Sequence, residues 1–251
     1  MGLCITMKSN KRLVLATLLC CLGGSAYADF VGVNIGYSHW APDLSGDFNS
    51  KNNMRIAPIR DLGVNDPSQT SLVLILEHPI PLLPNVKYQN YDLETSGNKT
   101  LTKNLTFNDS NYNAGNNVSS IVDLSHDDIV LYYEVLDNWV NLDLGVDLKR
   151  FDGQMGINGN NVAVDKTLQS LYMSARFDLP FTGFYAGADI NSLSIGDNKS
   201  NDSTLLIGYE SSIGLGFEGG LKKFSLGLDN ANNIDTNIEY RGLYVNGFFH
   251  F

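Results

Sequence analysis

The sequence predicts an all-β protein, more narrowly a transmembrane antiparallel β-barrel of about ten strands, with eight or twelve as alternatives. Three observations support this prediction. Apolar and polar residues alternate along most of the chain. The links between the segments with this pattern are short and long in alternation, and the last segment ends on Phe251. Successive side chains of a strand point to opposite faces, so each strand has one apolar and one polar face.

The N-terminal residues predict a secretory signal peptide. A basic start from Lys8 to Arg12 precedes the apolar run Leu13–Leu22, and Ala26–Ala28 has the A-x-A form of a cleavage site. This apolar run is too short to span a bilayer as a helix. We therefore expect cleavage after Ala28, with residues 1–28 removed and residues 29–251 forming a single outer-membrane barrel domain.

Two alternatives for the N-terminal segment stay open. Translation can start at Met7 instead of Met1, because a basic stretch follows Met7 directly. Cys20 and Cys21 would suit a lipoprotein signal, but the residue before an acylated cysteine is normally small, and here it is Leu19 or Cys20.

The mature chain is acidic and lacks cysteine. Cys4, Cys20 and Cys21 all lie before the cleavage site, which excludes a disulfide, a cysteine nucleophile and a thiolate metal site. All 27 Asp and Glu follow Ala28, whereas three of the 17 Lys and Arg precede it, so the mature net charge is −13. Such a chain is a poor partner for nucleic acid.

Ten segments have the alternation of a strand. In the clearest, Trp139–Leu148, the even-numbered residues from 140 to 148 are all Val or Leu, and the odd-numbered residues between them are polar or Gly. A charge on the lipid face at mid-bilayer costs about 2–4 kcal/mol, so charge-free apolar faces are expected of a barrel. The predicted strands lie near residues 30–39, 71–77, 86–95, 118–135, 139–149, 166–178, 183–194, 203–210, 214–228 and 237–251.

The links between these strands alternate in length. Those at 78–85, 136–138, 179–182 and 211–213 are short, those at 40–70, 96–117 and 150–165 are long, and those at 195–202 and 229–236 are of medium length. Short periplasmic turns opposite longer outer loops, with an even strand number, are typical of outer-membrane barrels. The pattern predicts that both chain ends face the periplasm.

Aromatic residues cluster on the predicted short-turn side. We expect them to form a girdle at the inner membrane interface. They are Phe30, Trp139, Phe177, Phe181, Phe184, Phe249 and Phe251.

Two predicted strands fit the pattern poorly. The segment 86–95 alternates weakly. In 214–228 the apolar positions change from odd numbers to even numbers, which predicts a β-bulge at Gly219–Gly220.

One cluster has residues suited to catalysis. Ser125 is followed by His126, Asp127 and Asp128 at the outer end of a predicted strand, where a histidine beside carboxylates could activate water at the barrel rim. The favoured interpretation is a hydrated transition from loop to strand, so we expect no enzyme. The other histidines of the mature chain are scattered without metal-ligand spacing, so no metal and no cofactor is predicted.

Strand parity places a set of charged residues in the lumen. Buried charges need partners or water, which favours a polar plug of ion pairs. A narrow cation-preferring pore lined by carboxylates is the alternative. The predicted lumen residues are Glu134, Asp143, Asp147, Arg176, Asp189, Glu210 and Glu218.

The turn Glu77–Asn85 reads E-H-P-I-P-L-L-P-N, and with it the chain resembles an uncharacterised family of outer-membrane β-barrel proteins of gamma-proteobacteria. The resemblance extends through residues 37–40, 124–128 and 131–138 to the Phe249–Phe251 end. It implies a barrel in the outer membrane and brings no activity, ligand or site residue. The three prolines of the turn exclude it from a central strand and predict a stiff apolar tip that caps the barrel.

These observations predict a monomeric outer-membrane barrel with a structural or surface-interaction role and a plugged polar lumen. The carboxylate-lined pore is the first alternative and a rim-sited hydrolase the second. Expected partners are outer-membrane lipid and, during biogenesis, the Sec translocon, periplasmic chaperones and the barrel-assembly machinery. The predicted assembly signal is the apolar face of the last strand, formed by Leu243, Val245, Phe249 and Phe251.

Overall fold

The computed structural model describes residues 31–50, 54–80, 82–195, 198–231 and 234–251. The predicted signal peptide and Phe30 lie outside these ranges. Within these ranges, one helical turn, Pro58–Leu62, accompanies the strands. The strands are β1 Gly32–Ser50, β2 Gln69–Glu77, β3 Asn85–Tyr91, β4 Glu94–Thr100, β5 Leu105–Phe107, β6 Ser110–Tyr112, β7 Asn117–Asp123, β8 His126–Leu136, β9 Val140–Ile157, β10 Asn160–Asp178, β11 Phe184–Ile195, β12 Asn198–Glu210, β13 Leu215–Ala231 and β14 Ile234–His250.

Ten of these strands form a closed antiparallel barrel. β1, β2, β3 and β8 to β14 pair in that order, and the ring closes because β14 pairs with β1 from Asn34↔His250 to Ser50↔Ile234. The predicted fold class and strand number are confirmed. Within the described ranges, no helix has the length and apolar character needed to cross a membrane.

The two ends of the barrel differ. At one end, the short-turn end, the strands are joined by the segments 78–84, 137–139, 179–183 and 211–214. At the other, the long-loop end, an excursion between β3 and β8 carries β4 to β7, of which β5 and β6 form a small hairpin. β7 adds to the barrel wall by pairing with β9, from Ser120↔Ile157 to Asp123↔Gln154.

The strands run further at the long-loop end than predicted. The predicted long loop 150–165 is wrong, because β9 and β10 pair up to Ile157↔Asn160 and only Asn158 and Gly159 lie between them. Both residues have positive φ, 51° and 78°, as a two-residue hairpin turn requires. The predicted strand 118–135 is likewise two strands, β7 and β8, separated at Leu124–Ser125.

An apolar belt surrounds the short-turn half of the barrel. On β14 the outward residues are Leu243, Val245 and Phe249, and the next outward residue toward the long-loop end is the exposed Arg241. On β9 the outward aliphatic residues run from Val140 to Leu148 and rise about 20 Å, at about 3.3 Å per residue and a tilt of about 40°. This height is close to the lipid-facing band of about 25 Å in membrane barrels.

Polarity inverts above the belt, and this inversion explains the change of parity in β13. The residues Leu215 to Leu228 pair with β14 without a register shift, so the predicted bulge at Gly219–Gly220 is wrong. Below the boundary the apolar residues face outward, as Phe217 does at 59% exposure. Above it they face inward, as Phe224 does at 1% exposure. The surroundings of the strand change at the boundary, whereas its pairing with β14 does not.

The inward apolar residues of the long-loop half form the hydrophobic core. Trp40, Phe151, Phe224 and Tyr240 from the barrel wall are almost completely buried in one cluster with residues of the β4–β7 excursion. Phe48 of β1 packs edge-to-face on Phe107 of β5, with ring centroids 5.8 Å apart. The barrel is therefore filled by side chains in its long-loop half.

Aromatic side chains surround the short-turn end on the outside. Trp139 packs edge-to-face on Phe177 at 5.4 Å, and Phe249 lies 5.6 Å from Phe251 between ring centroids. Phe181 is fully exposed. This distribution fits the predicted girdle.

The proline-rich turn at the same end does not cap the barrel. Ile80, Leu82 and Leu83 are exposed, and Leu82 reaches 92%. His78 holds the turn in shape, because its backbone N–H donates to Asn85 Oδ1 at 3.0 Å and its Nε2 lies 3.2 Å from Pro84 O. The turn is thus a fixed apolar tip beside the barrel mouth.

Candidate functional site

The short-turn half of the barrel encloses a polar chamber of about 460 Å³. Its mouth lies at the strand ends, where Leu136, Asn141 and His250 line the wall. Its floor lies at the boundary with the hydrophobic core. Of the described core residues, Tyr91 and Tyr244 reach the chamber wall.

The chamber is strongly acidic. Inward side chains alternate with lipid-facing ones along each strand, so polar inward residues of the belt region form most of this wall. Three cationic side chains line it, Lys87, Arg176 and Lys222. The nine acidic residues on the wall are Glu77, Asp128, Glu134, Asp137, Asp143, Asp189, Asp202, Glu210 and Glu218. Carboxylates therefore exceed cationic groups by six.

Two buried lysines form ion pairs at the floor. Lys149 Nζ lies 2.5 Å from Asp128 Oδ2 and 3.9 Å from Asp147 Oδ2. Lys222 Nζ donates to both carboxylate oxygens of Asp202 at 2.8 and 2.9 Å. Removing one partner of such a pair leaves an uncompensated buried charge and costs about 3–5 kcal/mol.

A tyrosine joins the floor to the core. Lys222 Nζ also donates to Tyr91 Oη at 3.0 Å, and its charge lies 4.9 Å from the Tyr91 ring centroid. Tyr91 in turn stacks on His126 at 4.6 Å. The Tyr91 ring thus contacts both the polar floor and the apolar core.

His126 lies inside the core and not at a hydrated rim. It is 4% exposed and packs against Phe151 and Phe224, with ring centroids 4.9 and 5.2 Å away. Its Nδ1 lies 2.8 Å from Leu124 O. The prediction of a hydrated loop-to-strand transition is wrong at His126, because inward side chains above the belt enter the apolar core.

The neighbours of His126 do not form one cluster with it. Asp127 points outward and accepts a hydrogen bond from Tyr88 Oη at 2.9 Å. Asp128 points inward, but its Oδ1 is 3.9 Å from His126 Nε2, beyond hydrogen-bond distance. Consecutive strand residues face opposite sides of the wall, which separates residues that are adjacent in sequence.

The chamber holds its own cations between carboxylates and tyrosine rings. Lys87 Nζ lies 3.5 Å from Asp189 Oδ2 and 5.7 Å from the ring centroid of Tyr172. Such pairs combine charge attraction with the cation–π interaction.

Arg176 is held in the same way near the mouth. Its guanidinium lies 3.7 Å from the ring centroid of Tyr185 and 3.6 Å from Glu210 Oε2. Tyr185 lies flat over Gly208, where an added Cβ would come 2.2 Å from its Cζ. A glycine is therefore required beneath the ring that holds Arg176.

Among the described residues, Lys87, Arg176 and Lys222 pair with other carboxylates and leave a second acidic group without a lysine or arginine partner. Glu134 and Asp143 lie directly opposite each other on β8 and β9, and both face the chamber. Glu77 lies nearby, since its Oε1 accepts a hydrogen bond from Tyr132 Oη at 2.7 Å. Like charges directly opposite on one face destabilise a sheet. We refer to Glu77, Glu134 and Asp143 as the acidic trio.

The structure places six of the seven predicted lumen residues on the chamber wall: Glu134, Asp143, Arg176, Asp189, Glu210 and Glu218. The seventh, Asp147, is fully buried behind the floor and accepts a hydrogen bond from Ser170 Oγ at 3.0 Å. Strand parity alone put these side chains on the inward face.

Sequence reasoning missed several chamber residues for identifiable reasons. Lys222 follows the incorrectly predicted bulge, which left its face undetermined, and Asp202 lay in a predicted loop. Glu77 and Lys87 flank the proline-rich turn in segments with weak alternation. Continuous parity along β12 and β13 is the signal that would have identified Asp202 and Lys222.

Among the described residues, no group of three or more His, Cys, Asp or Glu side chains is arranged to hold a metal ion. The site is therefore defined by charge and aromatic rings.

The fold and this wall define a transmembrane β-barrel. No protein-family model and no curated protein matches the sequence. Similar solved structures include a Pseudomonas aeruginosa FadL homologue, at 8% identity, covering 88% of this chain and 90% of that chain, with a TM-score of 0.36. The outer membrane protein OprG from Pseudomonas aeruginosa gives 13% identity, 88% and 96% coverage, and a TM-score of 0.28. The Ralstonia pickettii toluene transporter TbuX gives 11% identity, 89% and 90% coverage, and a TM-score of 0.29.

Proposed function

We propose that the protein is a non-conducting barrel of a bacterial outer membrane, which presents a rigid polar surface to the medium. The observation that supports this role is the hydrophobic core that fills the long-loop half. Trp40, Phe48 and Tyr240 are fully buried there, at 0% exposure. Barrels of about 16 strands leave a water-filled channel, whereas the interior of a barrel of this size is narrow enough for side chains to fill.

The proposed orientation puts the short turns in the periplasm and the β4–β7 excursion outside. Outward residues above the belt are polar, as Asp43, Asn237 and Glu239 are. They would lie at and above the outer lipid headgroups. Delivery by Sec and insertion by the barrel-assembly machinery, guided by Leu243, Val245, Phe249 and Phe251, belong to this proposal, as does a monomeric state.

Planar-bilayer recording on the refolded mature chain tests the proposal. The expected result is a silent bilayer in the presence of protein whose folding is verified by heat-modifiable migration. Steady conductance from folded protein would contradict a sealed barrel.

The acidic chamber favours a second candidate, a narrow cation-preferring pore. In that case the same recording would show cation-selective steps, and Asp143→Asn or Asp189→Asn would lower the selectivity. Conductance that these substitutions leave unchanged would exclude the carboxylate-lined pore.

A hydrolase around His126 receives the least support. The imidazole lies among three aromatic rings and is buried. The described residues around it leave no opening through which a substrate could reach its Nε2. We assign His126 a packing role. Hydrolytic activity on lipid or peptide panels that His126→Ala abolishes would overturn this assignment.

A further inference from the structure

We propose that the chamber in the short-turn half is a binding site for a small organic polycation, such as a linear polyamine. The inference goes beyond the sealed barrel proposed above, because binding in the chamber does not depend on conduction. It is argued from the balance of charge, from unpartnered acceptors, and from the way in which the chamber holds its own cations.

The balance of charge on the chamber wall favours added positive charge. Nine carboxylates and three cationic side chains share a volume of about 460 Å³ within the belt region. Buried carboxylates are costly unless paired with cations or hydrogen-bonded. The acidic trio is the least compensated part, since Glu134 and Asp143 are opposed directly across two strands.

Buried acceptor oxygens on the chamber wall lack donors among the described residues, and two of them belong to almost fully buried side chains. Asp128 is 3% exposed and Asn246 is 9% exposed, and both line the chamber. Within the described residues, neither Asp128 Oδ1 nor Asn246 Oδ1 has a hydrogen-bond partner. A buried acceptor without a donor costs about 1–3 kcal/mol. Ammonium groups are donors without acceptors, so they match these two oxygens.

The resident cations show how an ammonium group would be held. Lys87 lies between Asp189 and the ring of Tyr172, and Arg176 lies between Glu210 and the ring of Tyr185. The acidic trio offers the same combination, because Tyr132 lies beside Glu77.

The size and shape of the chamber favour an organic ligand over a metal ion. A volume of about 460 Å³ lies in the range of small-molecule sites. Carboxylates occur from the mouth, at Glu134, to the floor, at Asp128. A ligand with several ammonium groups joined by methylene segments would reach both levels and contact the tyrosine rings between them.

Isothermal titration calorimetry with spermidine on the refolded mature chain in detergent tests this inference. The expected result is saturable binding with a stoichiometry near one. The double variant Glu134→Gln/Asp143→Asn should weaken binding at least tenfold, and Tyr132→Leu should weaken it while leaving every charge in place. No saturable binding to folded protein would overturn the proposal.

The chain offers a matched control for the double variant. Asp152 and Asp165 also lie directly opposite each other, on β9 and β10, but they point outward and are exposed. Asp152→Asn/Asp165→Asn changes the net charge equally and should leave spermidine affinity within twofold of wild type. An equal loss of spermidine affinity in both double variants would show only a general attraction of spermidine to the negative charge of the protein. This result would overturn the proposed site.

A competition experiment distinguishes binding at a specific site from a diffuse layer of counterions. At constant ionic strength, MgCl₂ should compete weakly with spermidine. Competition by Mg²⁺ at the same concentration would overturn the organic-cation assignment. Since the assay detects binding and the bilayer recording detects conduction, the two proposals fail independently.

Discussion

Asp61 stabilises the helical turn at the long-loop end. Its carboxylate accepts hydrogen bonds from the Ala57 backbone N–H at 2.9 Å and from Arg60 Nε at 3.1 Å, and Lys103 Nζ lies 3.1 Å away. Burial raises the pKa of this carboxyl, but these donors outweigh burial and lower the pKa to about 2. The folded turn thus favours the charged form of the Asp61 carboxyl.

This lowered pKa predicts loosening of the turn in acid. Because the folded-state pKa lies below the ordinary value, the stabilisation is complete above about pH 4 and is lost as the pH falls toward about 2. Amide exchange over residues 57–63, corrected for intrinsic rates, should show less protection at about pH 2 than at about pH 5. Asp61→Asn should reduce protection at the higher pH and remove most of the pH dependence. Protection that does not change with pH in the wild type would contradict this role.

At the scale of the element, each long strand passes through two environments. The outward face of β9 carries Leu144 in the belt and Gln154 above it, and both are even-numbered. The same face therefore meets lipid in one half and water in the other.

Lysine scanning of β9 should reveal this boundary. Leu144→Lys places a charge in the lipid belt and should lower the free energy of unfolding by about 2–4 kcal/mol. Gln154→Lys lies on the same face above the belt and should change it by less than about 0.5 kcal/mol. Urea unfolding in lipid vesicles measures both values. Equal costs at the two positions would show that the belt has been placed incorrectly.

The same boundary explains what could be predicted from the sequence. In the belt, alternation has a simple meaning, so the strand number of ten agrees with the structure, and six residues that parity turned inward lie on the chamber wall. Above the belt an apolar side chain faces inward, which alternation alone does not distinguish from facing lipid. The inward position of Phe224 therefore looked like a change of parity, which was interpreted as a β-bulge. His126 was placed at a hydrated rim for a related reason, since the core around it is built from strands distant in sequence.

At the scale of the whole molecule, the ring of ten strands is complete without the β4–β7 excursion, which adds to the seal of the barrel. Leu93 and Leu124 flank the excursion and are adjacent, since Leu124 N–H donates to Leu93 O at 3.5 Å. The excursion contributes Leu101, Leu105 and Phe107 to the core. The ten barrel strands lie outside residues 94–123.

Replacing residues 94–123 with a short glycine linker should therefore leave a barrel that folds and opens. The expected result is heat-modifiable migration like that of the intact chain, together with measurable conductance in planar bilayers. The intact chain, which should be silent, is the control. A shortened barrel that folds and remains silent would show that residues of the wall alone make the seal.

The inversion of polarity has a consequence for how substitutions are tolerated. Along β13, aspartate scanning should give a pattern of tolerance with a period of two residues, because only one face accepts a charge. At the belt boundary the tolerant face changes sides, so this pattern shifts its phase by one residue between Leu221 and Phe224. A deep mutational scan of this one strand would thus locate the edge of the bilayer along the chain, without any spectroscopic probe or bound lipid.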